Sequence, residues 1–214
     1  MTSKTIAKRL SGFQLTLNNA TDPQILSATM VFNYGDDKIA EGKALVKQAQ
    51  QLNIIQEKEY GEQYTATNIL TKAVEDFVKT TYRPHFDLAR KLFPSNPGIR
   101  AAMALSGRRK RNYGEWVNQV VIFYSNALST PEVLQKFLTL NITQEILEES
   151  LSQVDGLNLL RAAQKKESGE AQQATDDRDQ ALDQISDWMA LYYTIAKIAL
   201  AEKPQLLEKL GIKA

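Results

Sequence analysis

The chain has 214 residues, 43% hydrophobic and 24% charged, with 26 basic side chains against 25 acidic ones and a formal net charge of +1. That composition supports a folded core and excludes wholesale disorder, and so even a charge argues against a dedicated nucleic-acid binder, which carries a strongly basic face. Cysteine is absent, which excludes disulfides, a thiolate nucleophile and Cys-ligated metal.

The first ten residues, from Met1 to Leu10, contain no unbroken apolar run of the kind a secretory signal needs. The nearest approach to a membrane span, Ile185 to Ala201, is interrupted by Asp187 and Lys197. A cytoplasmic protein is expected, without a membrane partner.

Apolar spacing predicts a first helix over about Ala7 to Leu17. A short helix follows, capped by Thr21 or Asp22, with Pro23 in the first turn, where its missing N–H costs nothing. Asn33 ends it. A long helical stretch then runs from Asp36 to Phe93, with Leu45, Leu52, Ile55, Ala66, Leu70, Ala73 and Phe77 along one stripe. Pro84 is expected to kink or break this helix. The next segment holds the run Arg108-Arg109-Lys110-Arg111, followed by Tyr113 and Trp116. It suits an exposed connector or, alternatively, a cationic contact patch for phosphate or an anionic head group.

The second half predicts the same series: a helix over Tyr113 to Leu128, a short one after Ser129 or Thr130 with Pro131, an end at Asn141, and a long stretch from Thr143 to Glu202. Shifting the sequence against itself by 108 residues superimposes Pro23 on Pro131, Asn33 on Asn141 and Gly61 on Gly169. A one-residue gap then sets Leu88-Ala89-Arg90 over Ile195-Ala196-Lys197 and Pro97 over Pro204. Residues 1–105 and 106–214 are therefore expected to be two copies of one helical segment, packed as one domain. Alternation and Val/Ile/Thr-rich runs between turns are missing, so no strand is expected. The fold expected is all-α, a four-helix-type bundle with long antiparallel helices about a pseudo-twofold axis. Each long stretch either turns at its glycine or continues through it. One Gly among good helix formers costs only about 1 kcal/mol, and this favours a continuous helix spanning roughly 80 Å.

Concentrated chemistry is sparse. His85 is the single histidine, so paired Glu-x-x-His iron motifs are excluded, and no nucleophile motif accompanies it. Glu59-x-Gly61-Glu62 recurs as Glu167-x-Gly169-Glu170. Four carboxylates brought together would suit Mg²⁺, Mn²⁺ or Ca²⁺, whereas Lys58 and Lys166 beside them offer ion pairs instead. Phe77, Phe86, Phe123, Tyr124, Trp188, Tyr192 and Tyr193 sit at helical spacings and suit a core.

Two segments, Arg161 to Gln172 and Lys203 to Ile212, resemble parts of bacterial helical proteins to which no activity attaches. The resemblance implies a bacterial origin and a helical fold, and it carries over no catalytic residue. Together these readings point to a non-enzymatic structural or interaction protein with a protein partner or self-association and no cofactor. The alternative is a bundle that binds a small ligand or a divalent metal.

Overall fold

A computed structural model of the chain describes residues 3–107 and 110–212. Every regular element in them is helical, in the order α1 (Ser3–Asn19), α2 (Pro23–Met30), α3 (Asp36–Phe77), a π-helical turn (Val78–Tyr82), α4 (Arg83–Leu92), α5 (Pro97–Ala102), α6 (Tyr113–Ser129), α7 (Pro131–Leu138), α8 (Gln144–Ala199) and α9 (Pro204–Lys209). The fold is an all-α bundle with long antiparallel helices. Among the described residues no helix is long and apolar enough to cross a membrane. The helix continues through both Gly61 and Gly169, because neither interrupts α3 or α8.

Contacts divide the chain into two compact units, residues 1–62 with 168–214 and residues 63–167. Each unit draws on both halves of the sequence.

In the first unit, α1 turns Ile6, Leu10, Phe13 and Leu17 inward at helical spacing. They meet Ile25 of α2, Ile39, Val46 and Ala49 of α3, and Leu182, Ile185, Met189 and Tyr192 of α8. Thr16 Oγ1 donates to the Leu210 carbonyl at 2.8 Å, and Asn19 donates to that of Lys209 at 2.6 Å, which ties the end of α9 to α1. Asp22 caps α2 by accepting from the Gln24 amide and also pairs with Lys209. That lysine, with the Gln24 amide, holds the Asp22 carboxyl below the usual carboxylate range.

In the second unit, α6 turns Trp116, Val120, Phe123, Tyr124 and Ala127 inward. They pack on Phe77, Tyr82, Ala89 and Phe93 from the α3–α4 stretch, Val133 and Phe137 of α7, and Leu147, Val154 and Leu157 of α8. Thr67 bonds Gln164 at 3.4 Å and Thr81 bonds Gln153 at 3.5 Å, so α3 and α8 run antiparallel here.

The two units have closely similar parts. Helices α1 and α6 each have 17 residues, α2 and α7 each have 8, and α5 and α9 each have 6. The short ones all carry a proline in the first turn. Asn33 and Asn141 end α2 and α7 in the left-handed region, at φ 63° and 59°. There the next amides, Tyr34 and Ile142, reach back to the carbonyls of Thr29 and Phe137, both at 3.1 Å.

Pro84 does not break its helix. The α3–α4 stretch passes from α through π to α without an intervening loop. The Arg83 amide reaches back five residues to the Val78 carbonyl, and this wider turn admits a proline ring that an ordinary helical turn would exclude. A π turn also absorbs one extra residue without rotating the helix beyond it. The one-residue gap needed to align the two long stretches falls between Ala73 and Leu88, an interval that contains this turn.

Candidate functional site

The four carboxylates singled out in the sequence are divided between the units: Glu59, Glu62 and Glu170 belong to the first, Glu167 to the second. In the first unit Lys58 Nζ lies 3.2 Å from Glu59 and 3.0 Å from Glu62. These hydrogen bonds raise the Lys58 pKa. In the second, Lys166 lies 3.4 Å from Glu167. The adjacent lysines are exposed, whereas Glu59 and Glu167 are half-buried with side chains 18% and 22% exposed.

Of the basic run, Arg108 and Arg109 lie outside the described residues. Lys110 and Arg111 are exposed, and the Lys110 amide donates to Gln119 of α6 at 3.3 Å. Asn112 then caps α6, accepting from the Gly114 and Glu115 amides.

His85 is half-buried on α4. Its Nδ1 lies 3.1 Å from the Tyr124 hydroxyl, and its ring meets Tyr124 and Phe137 edge-on. Burial lowers the His85 pKa and pushes the fully buried Tyr124 hydroxyl far up, against a hydrogen bond with Ser150 that acts the other way. Ser150 Oγ itself donates to the Ile146 carbonyl at 2.7 Å. The arrangement is a neutral polar pair inside an aromatic core. A tyrosine stands where a catalytic triad would place the carboxylate that orients the imidazole.

The second unit also holds a feature that the sequence reading did not identify. Arg83, Phe86, Asp87 and Arg90 fall on one face of α4, three or four residues apart. With Val78 and Tyr82 of the π turn, Gly107, and Gln119 of α6, they line a cavity of about 310 Å³. Asp87 and Arg90 also line a wider neighbouring cavity of about 760 Å³, together with Leu88, Lys91, Pro94 and Arg100. Four cations and one carboxylate therefore wall a groove whose narrower part has an aromatic floor. Arg83 Nε is 3.7 Å from Asp87, in a pair with side chains 76% and 60% exposed. Arg90 lies 6.0 Å from the centre of the Phe86 ring. Arg100 donates to the Phe93 carbonyl at 3.4 Å. Among the described residues, no carboxylate lies within ion-pairing distance of Arg90, Lys91 or Arg100. The signal was present as Arg-Pro-His-Phe-Asp-Leu-Ala-Arg-Lys, but helical spacing, not adjacency, gathers these charges.

The first unit has a cavity of about 500 Å³ against α1, lined by Lys8, Arg9, Phe13, Thr16, Tyr193 and Leu210 among others. Arg9 donates to Ser186 Oγ and lies 5.5 Å from the centre of the Phe13 ring, so its guanidinium is already engaged. No family model matches this chain, and neither a curated protein nor a solved structure matches it significantly.

Proposed function

We propose that the chain is one helical segment present twice, residues 1–105 and 106–214, and that it works as a non-enzymatic interaction protein. The equal helix lengths, the paired left-handed asparagines and the extra residue of the π turn support the duplication. The observation that carries the interaction reading is a repeated apolar tip. Met30, Val31 and Phe32, where α2 ends, are 54%, 79% and 42% exposed. Leu138 and Leu140, where α7 ends, are 58% and 44% exposed. Scattered exposed apolar side chains need no explanation, but contiguous ones are characteristic of contact surfaces. Each tip is held by the same left-handed cap, so it is presented on a set backbone and loses little entropy on docking. A protein surface with an apolar pocket is the partner that such a tip fits.

The variants Val31→Asp and Leu138→Asp, singly and together, test this reading. The native chain should retain a partner from a lysate of its source cells, or associate with itself in sedimentation. The double variant should lose that association while its circular dichroism and melting temperature stay unchanged. Equal retention by the native and doubly substituted chains would refute the role of the tips.

A further inference from the structure

We infer that the groove along α4 in the second unit binds a small phosphate monoester with an aromatic body. The narrower cavity supplies the floor for the body: Val78, Tyr82 and Phe86, with the Tyr82 ring 5.5 Å from Phe86 and Phe86 5.8 Å from Phe123. Phe86 is thereby held in a fixed aromatic layer, a surface on which a ring packs with little further ordering.

The wider cavity supplies the charge. Arg90, Lys91 and Arg100 converge on it from α4 and α5. Their last-turn positions complement the partial negative charge at those helix ends, and none has a carboxylate partner among the described residues. Asp87 lines both cavities and lies 3.7 Å from Arg83, so a single carboxylate offsets part of the charge of the three cations. Arginine forks suit tetrahedral oxyanions bidentately, and lysine adds a point charge. A dianion balances this set better than a monocarboxylate, which favours phosphate over carboxylate as the head. Arg90 lines both cavities and lies near the Phe86 ring, so it joins the aromatic half of the site to the anionic half. The position that the alignment pairs with Arg90 in the first unit is Lys197, but those paired with Lys91 and Arg100 are Ile198 and Leu207. The site therefore belongs to one unit and is not a property of the shared fold.

Titration calorimetry on the full chain with phenyl phosphate, inorganic phosphate and benzyl alcohol tests the assignment. Phenyl phosphate should bind one to one, more tightly than either of the others and less tightly as salt is raised. Arg90→Gln and Arg100→Gln should each weaken it about tenfold, the scale of one charge-assisted contact. Phe86→Leu should bring phenyl phosphate down to the level of inorganic phosphate and leave inorganic phosphate unchanged. Lys8→Gln, in the first unit, should change nothing. Arg90 and Arg100 are not core residues, and melting curves of their variants verify that the fold is intact. The assignment is overturned by any of three results: no heat with phenyl phosphate, affinity unchanged in both arginine variants, or an equal loss in Lys8→Gln. Retention on phosphatidic acid vesicles without binding of soluble phenyl phosphate would identify a membrane surface instead, and would also overturn it.

Discussion

The two units use helices of matching lengths and fill them differently. Counted from the start of each helix, the buried residues of α1 and α6 fall at matching positions: Ile6, Leu10, Phe13 and Leu17 in one, Trp116, Val120, Phe123 and Ala127 in the other. The second unit places its aromatic mass on α6 and α4, where Phe123 lies 4.9 Å from Tyr124, 5.6 Å from Tyr82 and 5.8 Å from Phe86. The first unit places its own on the long helix, where Trp188 lies 5.5 Å from both Tyr34 and Tyr192. A core tolerates such exchanges when total volume is preserved. The lesson is that helix lengths and caps set the frame, whereas the location of the large side chains varies freely within it.

The strongest way to break this comparison is to remove one aromatic centre. Phe123→Ala should cost about 3–5 kcal/mol, as expected for a fully buried ring at the middle of a cluster. Phe13→Ala at the matching position, where the ring is 9% exposed, should cost less, about 2–3 kcal/mol. Urea denaturation of both variants measures the difference, and equal losses would show that the two rings contribute alike to their own cores.

Gly42 sharpens the contrast from the other side. A Cβ there would sit 2.7 Å from the Trp188 ring and 2.9 Å from Leu17. Gly42→Ala should therefore destabilise by about 1–2 kcal/mol through overpacking, even though alanine is the better helix former by about 1 kcal/mol. The position 108 residues on is Ser150, whose side chain is itself buried. If Gly42→Ala raises the urea midpoint, Trp188 has room to move and the close packing is loose.

How much of this was legible follows from the physics of each signal. Helix identity, the proline-started short helices and the asparagine ends were legible because caps and turns depend on a few residues of special stereochemistry. The continuous path through Gly61 and Gly169 was legible from the helix formers around each glycine. The outcome at Pro84 was not, because a proline marks a lost hydrogen bond but does not say whether the chain breaks or widens by one residue. The groove beside it was hidden for a related reason. Arg83, Arg90, Lys91 and Arg100 come together only once α4 and α5 fold back, whereas the conspicuous run at residues 108–111 shows its charge in sequence alone. For the carboxylates, adjacency in sequence is compatible both with ion pairs to Lys58 and Lys166 and with a metal, so it offers the two as alternatives.

A single oxygen separates the units more finely. The Tyr124 hydroxyl pairs with His85, whereas the Tyr192 hydroxyl is buried with no hydrogen-bond partner among the described residues. Tyr124→Phe should cost about 1 kcal/mol, since it strands the imidazole, and Tyr192→Phe should be neutral or stabilising by a similar amount. His85 adds a dependence on pH. Its folded pKa is depressed, so the unfolded chain binds the proton more readily and stability is lost as pH falls from about 7 through the unfolded value near 6.5. Tyr124 of α6 and Phe137 of α7 face the ring and supply no charge to offset this. Replacing His85 with Gln should flatten the stability profile between pH 7 and 5, as followed by urea midpoints. An unchanged slope would assign the acid sensitivity elsewhere.

The smallest expected effects lie at the glycines inside the long helices. No heavy atom lies within 4 Å of a Cβ built at Gly61 or Gly169, and neither is among the glycines with positive φ. Gly61→Ala and Gly169→Ala should each stabilise by about 0.5–1 kcal/mol, because alanine restricts the unfolded chain and favours the helix that is already there. Gly107, at φ 97°, is the counter-case: alanine there is strained and should destabilise by about 1 kcal/mol. Opposite signs at Gly61 and Gly107, read from melting temperatures, would show that the long helix is unbroken in solution. A loss at Gly61 would mean instead that the chain turns there, as a hairpin would require.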